Sequence, residues 1–207
     1  TDNGFRYYLD GINLLKGKLE DLTRVEITEQ KLREAIDLFN RERELLKEIS
    51  LMRKAERPPI STKDFIRLNH GSFLIDKKAM VEVLESLLAE LKGGEPPQVK
   101  GPRTLLTGST LALGDYKILD LIEEAGGVVA IEEFGEGIRH YWETVRTDGD
   151  LIEALADRYF RRRVPPAYFR PGKERRDFVI KLAKEFNVNG VIWYQLMYRD
   201  SYDFETY

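Results

Sequence analysis

The sequence predicts an α/β fold in which a parallel sheet with flanking helices follows an all-helical segment. Between residues 103 and 142, two short apolar runs rich in β-forming residues enclose one amphipathic helical stretch, with glycines at each change. This alternation is typical of a βαβ unit, so the sheet is predicted to be Rossmann-like. Before residue 95, apolar residues recur at helical spacing instead. Only three strands can be predicted, and parallel sheets usually have more, so we expect an incomplete fold.

The composition is that of an ordinary soluble globular protein, with 33% charged residues, 42% hydrophobic residues and a net charge of -3. This balance indicates neither nucleic-acid nor membrane binding, and no apolar run approaches the ~18 residues of a membrane span. The chain contains no cysteine, which fits a cytoplasmic protein or a protein of a thermophile. It also means that the chain alone cannot hold a metal cluster on cysteines. Because the chain begins at Thr1 without methionine, in a sequence typical of the middle of a longer chain, we expect a fragment or a processed product.

Four helices are predicted within residues 1–94. The first covers residues 1–21, with its apolar residues on one face, and Thr28 is a natural N-cap for a long second helix that ends before Pro58. Ser61 and Asp64 resemble a capping box for a short third helix through Leu68. Asp76 starts the fourth helix, which Gly93 and Gly94 end.

Two predictions concern the exposure of polar residues in this segment. Along the second helix, the charged residues Glu42 and Arg43 are expected to face water, opposite the apolar residues of the core-facing side. His70 is predicted to lie in the exit turn of the third helix, as a surface or capping residue rather than a ligand.

The predicted domain boundary is residues 95–102, which contain three prolines in eight positions. It separates the helical segment, residues 1–94, from a truncated Rossmann-like α/β domain, residues 103–207. In that domain we predict strands at 104–107, 128–131 and 191–195, and helices at 116–124, 150–162 and 173–186. Residues 164–171 are expected to form a proline-punctuated loop. Another chain, or sequence beyond residue 207, is expected to complete the sheet.

Candidate site residues follow the strands, because the carboxyl ends of parallel strands meet at one edge of a sheet. Gly108, Ser109 and Thr110 are predicted to offer backbone N–H groups to an anion, with turn geometry alone as the alternative. Arg139 and Arg199 are predicted to add positive charge for a carboxylate or phosphate, with packing at the sheet edge as the alternative for Arg139. Tyr194 and Gln195 are also assigned to the site. Glu132 and Glu133 are adjacent in a strand, so at most one of them can face it. No metal site is predicted.

Several motifs, in order, resemble one protein family: KLEDLTRVEITEQKLREAIDLFN, TGSTLALGDYKILDLIEEAGGVV, EEFGEGIRHYW, RRRVPPAYFRP and FNVNGVIWYQLMYRDSYDFETY. The sequence resembles the central and C-terminal part of the D-component subunits of the (R)-2-hydroxyacyl-CoA dehydratase / benzoyl-CoA reductase family. The resemblance implies a heterodimer of related α/β subunits, a four-iron four-sulfur (4Fe-4S) cluster held by cysteines, and an ATP-dependent activator protein. It also implies that an active member is a lyase of the 2-hydroxyacyl-CoA dehydratase type or a benzoyl-CoA reductase-like enzyme.

The departures from that family concern its cysteines. Arg199, before Asp200, occupies one customary cysteine position, and Gly135 and Ala167 lie in two phrases that usually contain others. Arginine cannot ligate iron as a thiolate does, so no cluster is expected in this chain. The sequence therefore predicts a subunit or fragment that shapes an acyl-CoA cleft and relies on a related subunit or an N-terminal domain. The alternative is a non-catalytic scaffold that pairs with a related α/β subunit.

Overall fold

A computed structural model describes residues 1–96, 100–164 and 172–203 of the chain. Its helices are α1 (Asp2–Thr23), α2 (Glu29–Met52), α3 (Thr62–Ser72), α4 (Lys77–Gly93), α5 (Lys117–Glu124), α6 (Ile138–Tyr141), α7 (Leu151–Ala156), α8 (Lys173–Glu185) and α9 (Asp200–Asp203), and a π-helix (Asp157–Arg161) continues α7. Its strands are β1 (Arg103–Gly108), β2 (Val128–Glu133) and β3 (Gly190–Tyr194). The predicted α/β fold, with a Rossmann-like parallel sheet after a helical segment, is confirmed.

The sheet has the strand order β2-β1-β3, and both neighbouring pairs are parallel. Adjacent residues of the central strand point to opposite faces of the sheet. Leu106 belongs to an apolar cluster with residues of α5, and Leu105 belongs to another with residues of α2, α4 and α8. Both faces of β1 are therefore covered by helices, as a parallel sheet requires. Within the described ranges β3 pairs with β1 alone, and Val191 is exposed. Completion of the sheet by another segment stays a prediction.

One hydrophobic core joins the two sides of the predicted domain boundary. Its buried members before residue 95 include Leu46 and Phe65, and those after it include Ile131, Leu182 and Phe186. Residues 97–99 of the predicted linker lie outside the described residues. The division into domains stays a prediction, but the helical segment and the sheet share their largest apolar cluster.

The predicted helix starts have the expected capping geometry. The backbone N–H of Lys31 donates to Thr28 Oγ1 at 3.3 Å, and that of Asp64 donates to Ser61 Oγ at 3.0 Å. Asp76 accepts from the first turn of α4 in the same way. These side chains satisfy backbone donors that the helices themselves leave without acceptors, so the start signals read from the sequence are confirmed.

The prediction that Glu42 and Arg43 face water is wrong, because both are buried. Lys77 Nζ, at the start of α4, donates to Glu42 Oε1 at 2.8 Å. Arg43 donates to Tyr159 of the π-helix at 3.1 Å. Neighbouring helices cover this side of α2, and a pattern within one helix cannot reveal that its polar face has charged partners elsewhere.

The expectation for His70 is also wrong. Helix α3 continues to Ser72 rather than ending at Leu68, and His70 lies inside it, buried. Its Nδ1 is 3.3 Å from the hydroxyl of Tyr116. Burial lowers the pKa of His70, and the nearby Glu132 carboxylate opposes that shift only in part. The ring is therefore an internal hydrogen-bonding residue of the α3–α5 contact.

The predicted helix over residues 150–162 changes type along its length. It begins at the predicted cap, where Asp150 accepts from the backbone N–H of Glu153 at 2.7 Å, but its α-helical part ends at Ala156. The following five residues form the π-helix, in which the N–H of Arg162 donates to Asp157 O at 2.9 Å. Periodicity alone predicted one continuous α-helix there.

Helix α1 confirms the first predicted helix, but most of its apolar face is not covered within the described structure. Tyr7 is 83% exposed, Leu14 is 61% exposed and Leu22 is 80% exposed. Phe5 is buried and contacts the ring of Phe160 in the π-helix.

Among the residues that the structure describes, no helix is both long enough and apolar enough to cross a membrane. Residues 165–171 of the predicted loop, and the tail from residue 204, lie outside the described residues.

Candidate functional site

The three strands end side by side at the carboxyl edge of the sheet. In the β1–β2 pair Thr107 stands opposite Glu133, and in the β1–β3 pair Gly108 stands opposite Tyr194. The residues predicted from strand ends therefore come to the same edge. They divide into a turn between β1 and β3 and a charged cluster between β1 and β2.

The turn after β1 is held against the end of β3. The N–H of Ser109 donates to Tyr194 O at 2.7 Å, and the N–H of Leu196 donates to Ser109 Oγ at 3.1 Å. Gly108 has φ 114, and a Cβ on it would collide with Tyr194 O. Only glycine adopts this conformation without strain and permits this approach. The N–H of Ser109 is thus engaged inside the fold, and Thr110 follows it at the partly exposed rim.

Gln195 and Arg199 form the outer part of this edge. Gln195 Nε2 donates to Arg199 O at 2.9 Å, and Trp193 Nε1 donates to Gln195 Oε1 at 3.4 Å. The Arg199 residue is exposed. Burial, with a smaller effect of the Asp115 carboxylate, raises the pKa of Tyr194, so its hydroxyl stays protonated at neutral pH. This half of the site offers an exposed cation beside neutral donors.

Between β1 and β2, the buried carboxylate of Glu133 gathers the charged cluster. Its Oε2 accepts from Thr107 Oγ1 at 2.7 Å and from Arg175 Nη2 at 2.8 Å, and its Oε1 accepts from Arg139 Nη2 at 2.7 Å. Charge-assisted bonds of this kind are short and directional, so Arg139 is held in a fixed position at the edge.

Arg175 was not predicted as part of this edge. It comes from the first turn of α8, within the basic run Lys173, Arg175 and Arg176. Positive charge at a helix N-terminus is unfavourable, because the partial charge of the backbone there is also positive. That mismatch was a signal in the sequence that one of these residues has an acidic partner elsewhere.

Glu132 points away from this cluster, as its place beside Glu133 in a strand requires. Its carboxylate accepts from Arg53 Nη1 at 2.6 Å and from Tyr141 OH at 3.1 Å. Burial, and then the Glu132 carboxylate, raise the pKa of Tyr141. All three side chains are buried, so Glu132 belongs to the internal contact between α2, α6 and the sheet.

Beyond Arg139 lies a cavity of about 400 Å³. It is bounded by the loop after β2, by α6 and by the π-helix, and its lining residues are Phe73, Gly135, Glu136, Arg139, His140, Arg158, Tyr159, Arg163 and Val164. Burial raises the pKa of Glu136, whose Oε1 accepts from the N–H of Leu111 at 2.5 Å. Burial, together with the positive charges of Arg43, Lys77 and Arg158, lowers the pKa of His140 to about 3. The cavity therefore contains a neutral imidazole beside guanidinium groups.

Metal ligation has little support in this part of the chain. Within residues 1–96, 100–164 and 172–203, no three histidine, aspartate or glutamate side chains come together as a metal site. The whole sequence lacks cysteine. The arginines, amides and hydroxyls at the sheet edge are donors to anions rather than ligands for a metal ion.

One family model matches the whole chain, and known proteins resemble most of it. The family model described as "2-hydroxyglutaryl-CoA dehydratase, D-component" matches residues 1–207. A protein of Escherichia coli (strain K12) named "Putative dehydratase subunit YjiM" is 30% identical over 183 residues, which cover 86% of this chain and 47% of that protein.

Two further relatives are 22% identical. One is the (R)-phenyllactyl-CoA dehydratase beta subunit of Clostridium sporogenes, which matches 91% of this chain and 50% of its own length. The other is a benzoyl-CoA reductase subunit of Thauera aromatica, which matches 93% of this chain and 50% of its own length. The chain spans about half the length of the curated relatives it matches. With a family model matched from end to end, this chain belongs to the 2-hydroxyglutaryl-CoA dehydratase D-component family.

Proposed function

We propose that this chain contributes to an acyl-CoA-binding cleft of a 2-hydroxyacyl-CoA dehydratase-type enzyme, and that it does so without an iron–sulfur cluster of its own. The observation that carries this proposal is the position of Arg139 and Arg199 at the carboxyl edge of the sheet, beside Tyr194 and Gln195 at the end of β3. Acyl-CoA carries phosphate groups, and guanidinium groups bind phosphate through paired hydrogen bonds.

The two arginines suit different tasks in such a cleft. Arg139 is fixed by the carboxylate of Glu133, so it presents its charge without losing side-chain freedom when a ligand binds. Arg199 is exposed beside β3 and can follow a flexible ligand. Tyr194 and Gln195, at the end of β3, add neutral hydrogen-bonding groups to the cleft. In this proposal the residues of this chain bind and orient the thioester.

The residues present do not fit a cluster held by thiolates, since the chain has no cysteine and Arg199 is a cation. We therefore assign the cluster, and contact with an ATP-dependent activator, to a related α/β subunit or to an N-terminal domain. Iron analysis and visible absorption of the purified chain test this assignment. A colourless protein that turns brown only with its partner supports it, and a brown chain by itself contradicts it.

Calorimetric titration with acyl-CoA thioesters tests the binding proposal. We expect binding by the wild type, and loss of one charge-assisted contact in Arg199→Ala should weaken it by about tenfold. Arg6→Ala, which removes an exposed arginine of α1, is the matched control and should bind as the wild type does. No binding by the wild type, or equal binding by Arg199→Ala, contradicts the role proposed for this edge.

A second candidate function is that of a non-catalytic scaffold that pairs with a related subunit. The exposed apolar residues of α1 favour it, because contiguous apolar surface of this kind is typical of an interface. The names of all three relatives reported above also describe subunits. Co-expression with a related subunit should give a stable complex in the cytoplasm, where we place the protein. A monodisperse monomer that does not bind the related subunit would exclude the scaffold function.

A further inference from the structure

We propose that the cavity between α6 and the π-helix is a further binding site for a small organic oxyanion, namely a carboxylate or phosphate group on an aromatic or apolar body. Its volume, about 400 Å³, lies in the range of small-molecule sites, roughly 300–1,000 Å³. This inference goes beyond the acyl-CoA cleft, because it concerns a different ligand and uses Arg158, Tyr159 and Phe73, which the cleft does not include; the two sites share Arg139 alone.

The first argument is the charge of Arg158, a cavity residue that is only 4% exposed. Its guanidinium donates to three backbone carbonyls, those of Glu143 and Arg139 at 3.1 Å and that of His140 at 3.0 Å. Within the described ranges, no carboxylate forms an ion pair with it. These carbonyl oxygens accept from three of its five N–H groups. Burial lowers the pKa of Arg158, and the nearby Glu143 carboxylate opposes that shift only in part, so an anion in the cavity would offset the remaining cost.

The second argument is the backbone that presents Arg158. It lies in the π-helix of residues 157–161, a conformation that is rare and that occurs frequently at functional sites. The π-helix supplies two successive cavity residues, Arg158 and Tyr159. The hydroxyl of Tyr159 accepts from Arg43 Nη2 at 3.1 Å, which fixes its ring at the cavity wall.

The third argument is that the Nη1 end of the Arg139 guanidinium is not used by Glu133. Its Nη2 is used by that carboxylate, whereas its Nη1 lies 3.6 Å from the position that a Cβ on Gly135 would take. Gly135 is an exposed cavity residue, so the absence of a side chain there keeps this end of the guanidinium open. A guanidinium held by one carboxylate can still bind a second oxyanion through its free edge.

The aromatic residues that line the cavity favour a ligand whose uncharged part is aromatic or aliphatic. The rings of Phe73 and His140 lie 4.4 Å apart, and the ring of Tyr159 lines the same cavity. His140 is neutral at physiological pH, so these rings form a largely apolar wall for an aromatic or aliphatic group. The acidic residue among the described lining residues is Glu136, whose Oε1 is engaged by the N–H of Leu111.

The test is titration of the whole chain with benzoate, phenyl phosphate and the neutral isostere benzamide, followed by NMR. We expect at least one of the anions to bind, and benzamide to bind about tenfold more weakly because it lacks the charge. Comparison of benzoate with phenyl phosphate identifies the preferred head group. Absence of binding by both anions at ~5 mM, or equal binding of benzamide, would overturn the proposal.

A cavity-filling variant ties the binding to this place. A Cβ on Gly135 makes only an ordinary contact with Arg139, so Gly135→Leu should fold normally and fill the cavity. We expect it to lose anion binding, while Gly17→Leu, at a position of α1 with open space, keeps it. Anion binding that survives Gly135→Leu would overturn the proposal. Arg199→Ala, which alters the acyl-CoA cleft but no residue of this cavity, should bind the small anions as the wild type does, so failure of one proposal can be distinguished from failure of the other.

Discussion

Arg53 and Glu132 form an ion pair at 2.6 Å with both side chains 1% exposed, and this pair joins the end of α2 to the end of β2. Arg53 also donates to Ser50 Oγ at 2.6 Å and stacks 4.0 Å from the ring centroid of Phe65. Every group in this contact lies away from water, so removal of one charge leaves the other buried without a counterion.

Arg53→Met should therefore destabilise the protein by about 3–5 kcal/mol, measured as the free energy of unfolding in urea. The double variant Arg53→Met with Glu132→Leu removes both charges and should recover most of that loss, since an apolar pair needs no desolvation of ions.

The control for this prediction is the exposed pair Arg41–Glu85, at 2.7 Å with side chains 48% and 47% exposed. Water screens such a pair, so Arg41→Met should cost less than about 1 kcal/mol. If Arg53→Met and Arg41→Met lowered stability equally, the buried pair would not be the link between helices and sheet that its geometry indicates.

Gly108→Ala should open the junction between β1 and β3. At φ 114, an added Cβ meets the backbone oxygen of Tyr194, which cannot move without breaking the strand pair. We expect a loss of about 2–4 kcal/mol in the free energy of unfolding, from backbone strain together with the broken contact.

Gly190→Ala is the matched control, because Gly190 begins β3 in open space. It should change stability by less than about 1 kcal/mol. Faster hydrogen exchange at Ser109 and Leu196 in Gly108→Ala would locate the damage at the turn, and unchanged exchange there would contradict the explanation.

The elements themselves could be predicted because each carries its own local signal. Thr28 and Ser61 cap their helices as the sequence indicates, and the alternation of apolar runs and glycines between residues 103 and 142 yields the parallel strands. A cap needs only its own first turn, and a strand needs only its own apolar run, so neither depends on distant residues.

The charged cluster could not be predicted, because its members come from distant parts of the chain. Within the cluster, Glu133 meets Arg175 across 42 positions of sequence. Outside it, the buried Glu42 meets Lys77 across 35 positions. A charged residue in an amphipathic pattern indicates a solvated face unless its partner is known. Strand alternation predicts that Glu132 and Glu133 face opposite sides of the sheet. It does not identify Arg53 or Arg175 as their partners, because these arginines lie far away in the sequence.

Glu133→Gln tests the cluster directly. The amide keeps the size of the side chain but removes the charge that Arg139 and Arg175 share, so we expect a loss of about 3 kcal/mol in the free energy of unfolding. Glu85→Gln, the same change at an exposed ion pair, should cost less than about 1 kcal/mol. Equal effects of the two variants would mean that the buried carboxylate does not organise the edge.

His140 should make the protein less stable in acid. Burial and the charges of Arg43, Lys77 and Arg158 lower its pKa to about 3, against about 6.5 in an unfolded chain. Between these values the unfolded state binds a proton that the folded state does not, so stability is fully present above pH 6.5 and is lost as the pH falls toward 3. The loss from this one group amounts to at most about 1.4 kcal/mol per pH unit.

His140→Phe keeps a ring against Phe73 and removes the titrating group. The stability of the wild type relative to this variant should therefore decline as the pH falls from 7 to 4, in urea unfolding at each pH. Among the described residues, the carboxylate in ion-pair range of the ring is that of Glu42: its Oε2 lies 4.0 Å from Nε2, while its Oε1 accepts from Lys77. Ser72 Oγ lies 3.5 Å from the same nitrogen. If the relative stability rose in acid instead, Glu42 would be holding His140 protonated, and the cavity would carry one more positive charge at neutral pH.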